Sequence, residues 1–417
     1  MGTQNGLIRT RIGDDSLPDP CFTGGTMTKE VSRIFWRAVT AMTMMLGLAG
    51  CAISPFAPPV SSVVWHDALF DWSPDRVTIT PEDLFSLQPD LLEKLSDPAL
   101  KKLSNARRLE HVMNLLYGQE MRRFDYSAGH STIARETWAQ RRGDCLSLTV
   151  LVYAMGRRLD MRPEMQEVKV LPLIDRRGNV DYYNHHVNVL FPRSGPVQTL
   201  EGRLSPTNMV LDFEPQVGSR LRGQQLTEAG ILARFYNNLA AELMAKNELP
   251  QAYAHFKAAI ATDHHYAPSY TNLATLYRGA GLVADAEQLL RQAIEMSEVK
   301  DVPLHSLEQL LTAQGRNSEA QAVQKQLQNR RTQDPYYWAA LGLQYLKEAQ
   351  FSRAIQALEQ AQTLSTGFDE VHRLLAVAYL RGGQPSRADQ QLNLMAQSNF
   401  DPDGVRELRK KFRTAVP

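Results

Sequence analysis

The run Ala267-Pro268-Ser269-Tyr270-Thr271-Asn272-Leu273-Ala274-Thr275-Leu276-Tyr277-Arg278-Gly279-Ala280-Gly281-Leu282-Val283-Ala284-Asp285-Ala286 decides the fold. Its Leu273, Ala274, Tyr277 and Ala286 belong to a pattern that returns every 34 residues. Leucine stands at 239, 273, 307, 341 and 375, and alanine at 252, 286, 320, 354 and 388. Large residues recur at Leu243, Tyr277, Leu311, Tyr345 and Tyr379. Small residues recur at Ala240, Ala274, Gly342 and Ala376, with Glu308 as the exception; Ala259, Ala293 and Ala361 continue the pattern, and Leu327 and Met395 depart from it. Small side chains let two helices approach closely and large ones fill the groove between neighbouring pairs. A single pair cannot bury its apolar face alone, so several must stack. The spacing predicts an all-α array over residues 230–417, made of five units and a basic cap from Asp403 to Thr414.

This array resembles the tetratricopeptide repeat (TPR), a helix–turn–helix unit of about 34 residues. The resemblance implies a solenoid whose concave face binds a peptide or protein segment. No dense basic or aromatic stripe names that ligand. Packing against the preceding domain, or dimerisation, is the other use of such a face.

Working outward, 417 residues exceed what one core organises. Lys plus Arg total 46 against 45 Asp plus Glu, a net charge of +1, which argues against a nucleic-acid partner. Three cysteines are too few for a disulfide scaffold or a Cys-rich zinc module. No apolar run reaches the roughly 20 residues of a membrane-spanning helix.

The N-terminal part reads as an address. Residues 1–26 carry no signal-like pattern, whereas Met27 opens a stretch with Lys29, Arg33 and Arg37, followed by the 13 mostly apolar residues Ala38–Gly50. The string Leu48-Ala49-Gly50-Cys51 resembles the lipobox of bacterial lipoproteins, which implies lipidation of Cys51. Ala52-Ile53 lacks the Asp that retains such proteins at the inner membrane, so the resemblance points to the periplasmic face of the outer membrane. Pro55, Pro58 and Pro59 mark Ser54–Ser62 as a tether. The expected organisation is 1–50 extension and signal, 51–64 tether, 65–226 first domain, and 230–417 repeats. Cys21 is lost with the signal, so Cys145 remains as the single thiol, either buried and structural or reactive.

Residues 65–226 predict helices followed by an antiparallel sheet. Pro89–Leu103 and Arg108–Arg122 have helical spacing, and Ser131–Trp138 reads as a short helix with a Ser/Thr start. Asp144 is placed to cap a buried helix that begins at Cys145 and runs to Leu159. Val168, Val170 and Leu171 begin a strand, Arg176-Arg177-Gly178-Asn179 marks a turn, and Tyr182–Phe191 reads as the returning strand. Met209–Phe213 is a third strand, ended by Pro215.

Tyr126, Arg142-Gly143-Asp144-Cys145, His185-His186-Val187-Asn188-Val189 and Leu211-Asp212-Phe213 together resemble the transglutaminase-like (papain-like) cysteine enzyme superfamily, over roughly residues 124–215. The resemblance implies Cys145 as nucleophile, His186 as base and Asp212 as the group orienting the ring. Period two alone groups His185 with Val187 and Val189, and His186 with Asn188, without choosing between the histidines. The superfamily's apolar residue directly after the His selects His186. Asn188 departs from the Trp that many relatives carry there. Chemically, a thiol at a helix N-terminus is favoured as thiolate, and a carboxylate on the far ring nitrogen fixes the tautomer. No phosphate-binding Gly loop and no metal-ligand spacing around His185-His186 occur, so no cofactor or metal is expected. Two functions stand against each other: an envelope-anchored cysteine peptidase or amidase working through a thioester, and an inactive periplasmic scaffold.

Overall fold

The computed structural model describes residues 63–118, 124–127, 130–168, 173–177, 180–184, 186–192, 209–213, 223–365, 369–398 and 402–415. The expected signal Met27–Cys51 with the cysteine expected to be lipidated, Cys21, the expected tether Ser54–Ser62, Val170 and Leu171, Gly178-Asn179, His185 and Pro215 lie outside the described residues.

Helices α1 (Pro81–Leu84), α2 (Pro89–Lys94) and α3 (Asn105–Tyr117) come first. The helix expected over Pro89–Leu103 stops early, with Leu95 as its C-cap. The cause is Asp97-Pro98, since a residue before proline is pushed out of the α region. A 3-10 turn, Leu100–Lys102, follows. Strand β1 (Asp125–Tyr126), helix α4 (Ala134–Gln140), strand β2 (Arg142–Gly143) and helix α5 (Cys145–Arg158) come next, with β1 and β2 paired in parallel.

Then come β3 (Glu164–Glu167), β4 (Leu173–Arg177), β5 (Val180–Asn184), β6 (Val187–Phe191), β7 (Met209–Leu211) and β8 (Gln224–Leu226). Four of them form an antiparallel sheet in the order β7-β6-β3-β8, and β4 pairs with β5 in a separate hairpin. The single returning strand expected over Tyr182–Phe191 is therefore two. The apolar run of β6 is buried between β3 and β7, whereas β5 pairs only with β4 among the described residues. Strand β8 was not foreseen; Gln224-Gln225-Leu226 carries no alternating apolar signal.

The remainder is helical: α6 (Glu228–Ala245), α7 (Leu249–Thr262), α8 (Ala267–Gly279), α9 (Val283–Met296), α10 (Asp301–Ala313), α11 (Asn317–Gln333), α12 (Pro335–Lys347), α13 (Phe351–Leu364), α14 (Asp369–Arg381), α15 (Pro385–Ser398) and α16 (Pro402–Ala415). These are five consecutive pairs and a final helix. The alanines at 252, 286, 320, 354 and 388 are all buried. A Cβ added at Gly342 would lie 2.5 Å from Leu358 Cγ, so the small position there is set by the close approach of α12 to α13. Below the repeats' regularity the core is divided. One cluster ends at Ala320 on α11 and another begins at Ala339 on α12. The break falls at the third pair, where Glu308 and Leu327 interrupt the small-residue pattern and α11 buries only Ala320 and Leu327. By contrast, Ile231, Leu232, Phe235 and Tyr236 of α6 share one core with Val150 and Leu151 of α5 and with Val187 and Val189 of β6. The first repeat helix is thus also a core element of the preceding sheet region. Among the described residues no helix is long and apolar enough to cross a membrane.

Candidate functional site

Asp144 caps α5 as its spacing predicts. Its Oδ1 accepts from the Ser147 amide at 2.8 Å and from the Ser147 hydroxyl at 2.6 Å. The helix therefore begins at Cys145, which is half-buried and carries a thiol rather than a disulfide sulfur. Gly143 precedes it for a packing reason: a Cβ there would lie 2.8 Å from Ser147 Cβ and 3.1 Å from Thr137 Cγ2.

The Ser/Thr start expected for α4 is not its cap. That helix begins at Ala134 after Ile133, with no side-chain cap. Ser131 is engaged elsewhere: its hydroxyl donates to Asp144 Oδ2 at 2.5 Å and its amide donates to Glu242 Oε1 at 2.7 Å. The Thr132 amide donates to Ser147 Oγ at 2.8 Å. Asn238 Nδ2 donates to Ser131 Oγ at 3.1 Å. Two residues of the first repeat helix, Asn238 and Glu242, thereby hold the loop that frames Cys145. Replacing Asp144 by Ala is expected to destabilise the fold by about 2–4 kcal/mol, the sum of a lost cap and stranded buried hydroxyls. Urea unfolding reads this, and Asp144→Asn, which keeps an acceptor, should recover much of the loss. An unchanged midpoint for the Ala variant would contradict the role given to Asp144.

His186 and Asp212 meet. The ring Nε2 lies 2.7 Å from Asp212 Oδ2, with both side chains buried. His186 Nδ1 is also buried and has no hydrogen-bond partner among the described residues. Asn188, on the same strand face, donates from Nδ2 to the same Asp212 oxygen at 3.1 Å. Gln166 Nε2 donates to Asn188 Oδ1 at 2.9 Å, and the Gly223 amide donates to Gln166 Oε1 at 3.0 Å. The sheet thus carries a continuous buried chain from Gly223 to the imidazole. Val187 and Val189 point the other way, into the core. The parity of the strand fits the period-two grouping.

Helix α5 runs alongside β6 in the same direction. The Thr149 hydroxyl lies 3.4 Å from the Val187 carbonyl, and the Phe191 ring lies over Gly156. Continuing the same helix face one turn (about 5.4 Å) toward its N-terminus reaches Cys145, and continuing the strand one residue back reaches His186. Tyr126 sits on the exposed strand β1, in register with Gly143.

The groups that join the repeats to the sheet have no local signal in the sequence. Arg234 of α6 is buried and donates to Glu167 Oε2 from Nε at 2.8 Å and also from Nη2. Its Nη1 donates to the Gly230 carbonyl at 2.8 Å. Its guanidinium carbon stands 4.2 Å from the Tyr266 ring centroid. Burial works against the Arg234 charge, but Glu167, Tyr266 and Asp263 outweigh it and raise its pKa. The Tyr266 hydroxyl is pushed well above its ordinary value, first by burial, with Glu167, Asp263 and Cys145 adding to the rise and Arg234 opposing it. Asn188 had left a signal, its shared face with His186; Gln166, Arg234 and Tyr266 had none, because their roles depend on segments distant in sequence. Among the described residues no cluster of His, Cys, Asp and Glu suited to a metal ion occurs.

Residues 345–411 match the sequence profile of the tetratricopeptide repeat, and the C-terminal region is a TPR-like helical solenoid. No curated protein matches the chain. Among solved structures, similarity is found to YrrB, a TPR protein with an unusual peptide-binding site, at 18% identity over 43% of this chain and 92% of that one, with a TM-score of 0.22. It is also found to pilF of Pseudomonas aeruginosa, at 17% identity over 45% and 90% with a TM-score of 0.24. A thermophilic TPR protein of Thermus thermophilus is similar at 19% identity over 44% and 98%, with a TM-score of 0.23. The 34-residue spacing and the consecutive helix pairs define the solenoid.

Proposed function

We propose that the chain is an envelope-anchored thiol enzyme of the transglutaminase-like type, which acts on an amide bond of a peptide or protein. The observation that carries this reading is the buried His186–Asp212 pair at 2.7 Å, standing at the start of the strand that packs along the helix opened by Cys145. In the reaction the Cys145 sulfur attacks the amide carbonyl and its proton passes to His186. The C–N bond then breaks, and the leaving amine takes that proton. The acyl group stays on sulfur as a thioester until water, or another amine, replaces it. Asp212 holds the ring orientation and offsets the imidazolium charge. Asn188 and Gln166 position Asp212. Hydrolysis and acyl transfer share every step up to the thioester. The repeats, as a peptide- or protein-binding array, hold the substrate or a partner.

The second reading, a scaffold without catalysis, draws on the profile match, which falls wholly within the repeats. Alkylation of Cys145 with and without the His186 ring separates the two. Reactivity that depends on His186 supports the enzyme, and reactivity indifferent to it leaves the scaffold.

Localisation follows from Leu48-Ala49-Gly50-Cys51: we place the mature protein on the periplasmic face of the outer membrane, held by lipid on Cys51. Cys51→Ser is expected to move the protein from the membrane fraction to the soluble periplasm. A variant that stays with the membrane would rule this anchor out.

A further inference from the structure

Residues Val63–Trp72 lie on the first two helical pairs as a short strap. The strap has no regular secondary structure to His66 and then turns. Its contacts mix three kinds of interaction. The backbone is held by phenols: Tyr277 donates its hydroxyl hydrogen to the Val64 carbonyl at 2.8 Å, and the His66 amide donates to the Tyr253 oxygen at 2.9 Å. Charge is matched: Lys257 Nζ reaches both Asp67 oxygens at 2.7 and 2.8 Å, Tyr253 donates to the same carboxylate at 2.8 Å, and His66 Nε2 lies 2.8 Å from Asp285 Oδ2. Aromatic surface is buried: Phe70 stacks on Tyr253 with centroids 4.6 Å apart and on Tyr277 at 6.0 Å. Lys257 Nζ lies 4.0 Å from the Trp72 ring centroid. The Asp67 carboxyl is held below its usual range, first by the Lys257 hydrogen bond.

These contacts differ in kind from those between the helices themselves. Helix-to-helix packing in the array uses alanine and leucine at the 34-residue spacing. Tyr253 is outside that repeat: the equivalent positions hold Glu287, Gln321, Ile355 and Asp389. Tyr253 thus adds a second phenol beside the repeat tyrosine Tyr277 on the first two pairs.

We propose that the Tyr253–Tyr277 surface is a peptide-binding site. Val63–Trp72 fills it in cis. In trans it recognises a segment of a partner protein with the same chemistry: a backbone that offers a carbonyl and an amide to the two phenols, then a carboxylate, with an aromatic side chain three residues further on. The carboxylate answers Lys257 and the aromatic ring answers the two phenols. The inference stands independently of the Cys145 chemistry. Because the strap is part of the same chain, a partner must displace it.

The test uses the full chain and a fluorescent peptide with the sequence Val63–Trp72. The double variant Asp67→Asn/Phe70→Ala, whose own strap is weakened, is expected to bind the peptide at least tenfold more tightly than the unmodified chain. Adding Lys257→Glu to that background should abolish the gain. Asp67 is 43% exposed at its side chain, so the single variant Asp67→Asn folds with little penalty, and its affinity should fall between the two. Equal, weak binding by all chains would mean that the strap is a fixed packing element and would overturn the proposal. So would a dimer of the unmodified chain in which the straps are exchanged, because the occupant would then be a second copy.

Discussion

Removing the His186 ring is expected to lower the rate of Cys145 alkylation at pH 6 by about tenfold or more. An ordinary thiol, with a pKa near 8.5, is about 0.3% ionised at that pH. Activated cysteines beside a His⁺ and a helix N-terminus titrate at about 3.5–7.5 and are largely thiolate. The gain in thiolate is therefore about a hundredfold. Part of it is lost, since nucleophilicity falls with pKa at a Brønsted slope of about 0.4–0.5, leaving roughly tenfold in rate. The sign follows from the chemistry: His186⁺ favours S⁻ and so moves the thiol's titration downward. The difference between wild type and His186→Ala should be greatest between about pH 5 and 7 and should close toward pH 9. Iodoacetamide kinetics, read by mass spectrometry of the Cys145 peptide, give the whole profile. Asp212→Asn should retain part of the effect, because Asn188 and His186 keep a hydrogen-bonding partner. Profiles that superpose for wild type and His186→Ala would end the enzyme reading.

The second large effect is expected at Arg234. Its side chain is 8% exposed and that of Glu167 is 17% exposed, so the pair joins the sheet to the first repeat helix away from water. Truncating one partner of a buried ion pair costs about 3–5 kcal/mol, because the other charge stays behind without its counter-charge. Arg234→Ala should lower the unfolding midpoint in urea accordingly. The double replacement Arg234→Met/Glu167→Gln removes both charges and should cost much less, since neither charge is then left buried without its partner. If Arg234→Ala alone costs under about 1 kcal/mol, the pair is not what ties the repeats to the sheet. The consequence reaches function. Arg234 also supports Tyr266, and Asn238 and Glu242 hold the loop before Cys145, so the first repeat helix frames the thiol.

Much of this was legible in advance. Alanine and leucine at a spacing of 34 defined the helical pairs, because close helix approach admits only small side chains at those points. Asp144 was readable as a cap, since a short acceptor before an apolar helix has one obvious use. The pairing of His186 with Asp212 follows the order in which the resemblance placed them, and strand parity put Asn188 beside them. Other readings gave way. Ser131 looked like the cap of α4, yet a buried carboxylate at Asp144 and the amide-accepting Glu242 claimed it instead. Tyr182–Phe191 looked like one strand, yet only Val187–Phe191 had a partner on each side in the main sheet. Local pattern cannot register such competition, because the competing groups come from elsewhere in the chain.

The sequence by itself determined the repeat array, the helix that begins at Cys145 and the chemistry its neighbours make available. These depend on periodicity and on contacts within a few residues, where spacing alone dictates which side chains share a face. The tertiary structure decided that α6 belongs to two cores at once, that Arg234 joins Glu167 of the sheet to the Tyr266 ring, and that Val63–Trp72 occupies the first two repeats. Those contacts join residues from about 65 to more than 200 positions apart. Their formation depends on loop closure and on which buried charge finds its partner, and neither leaves a mark on the local pattern of residues.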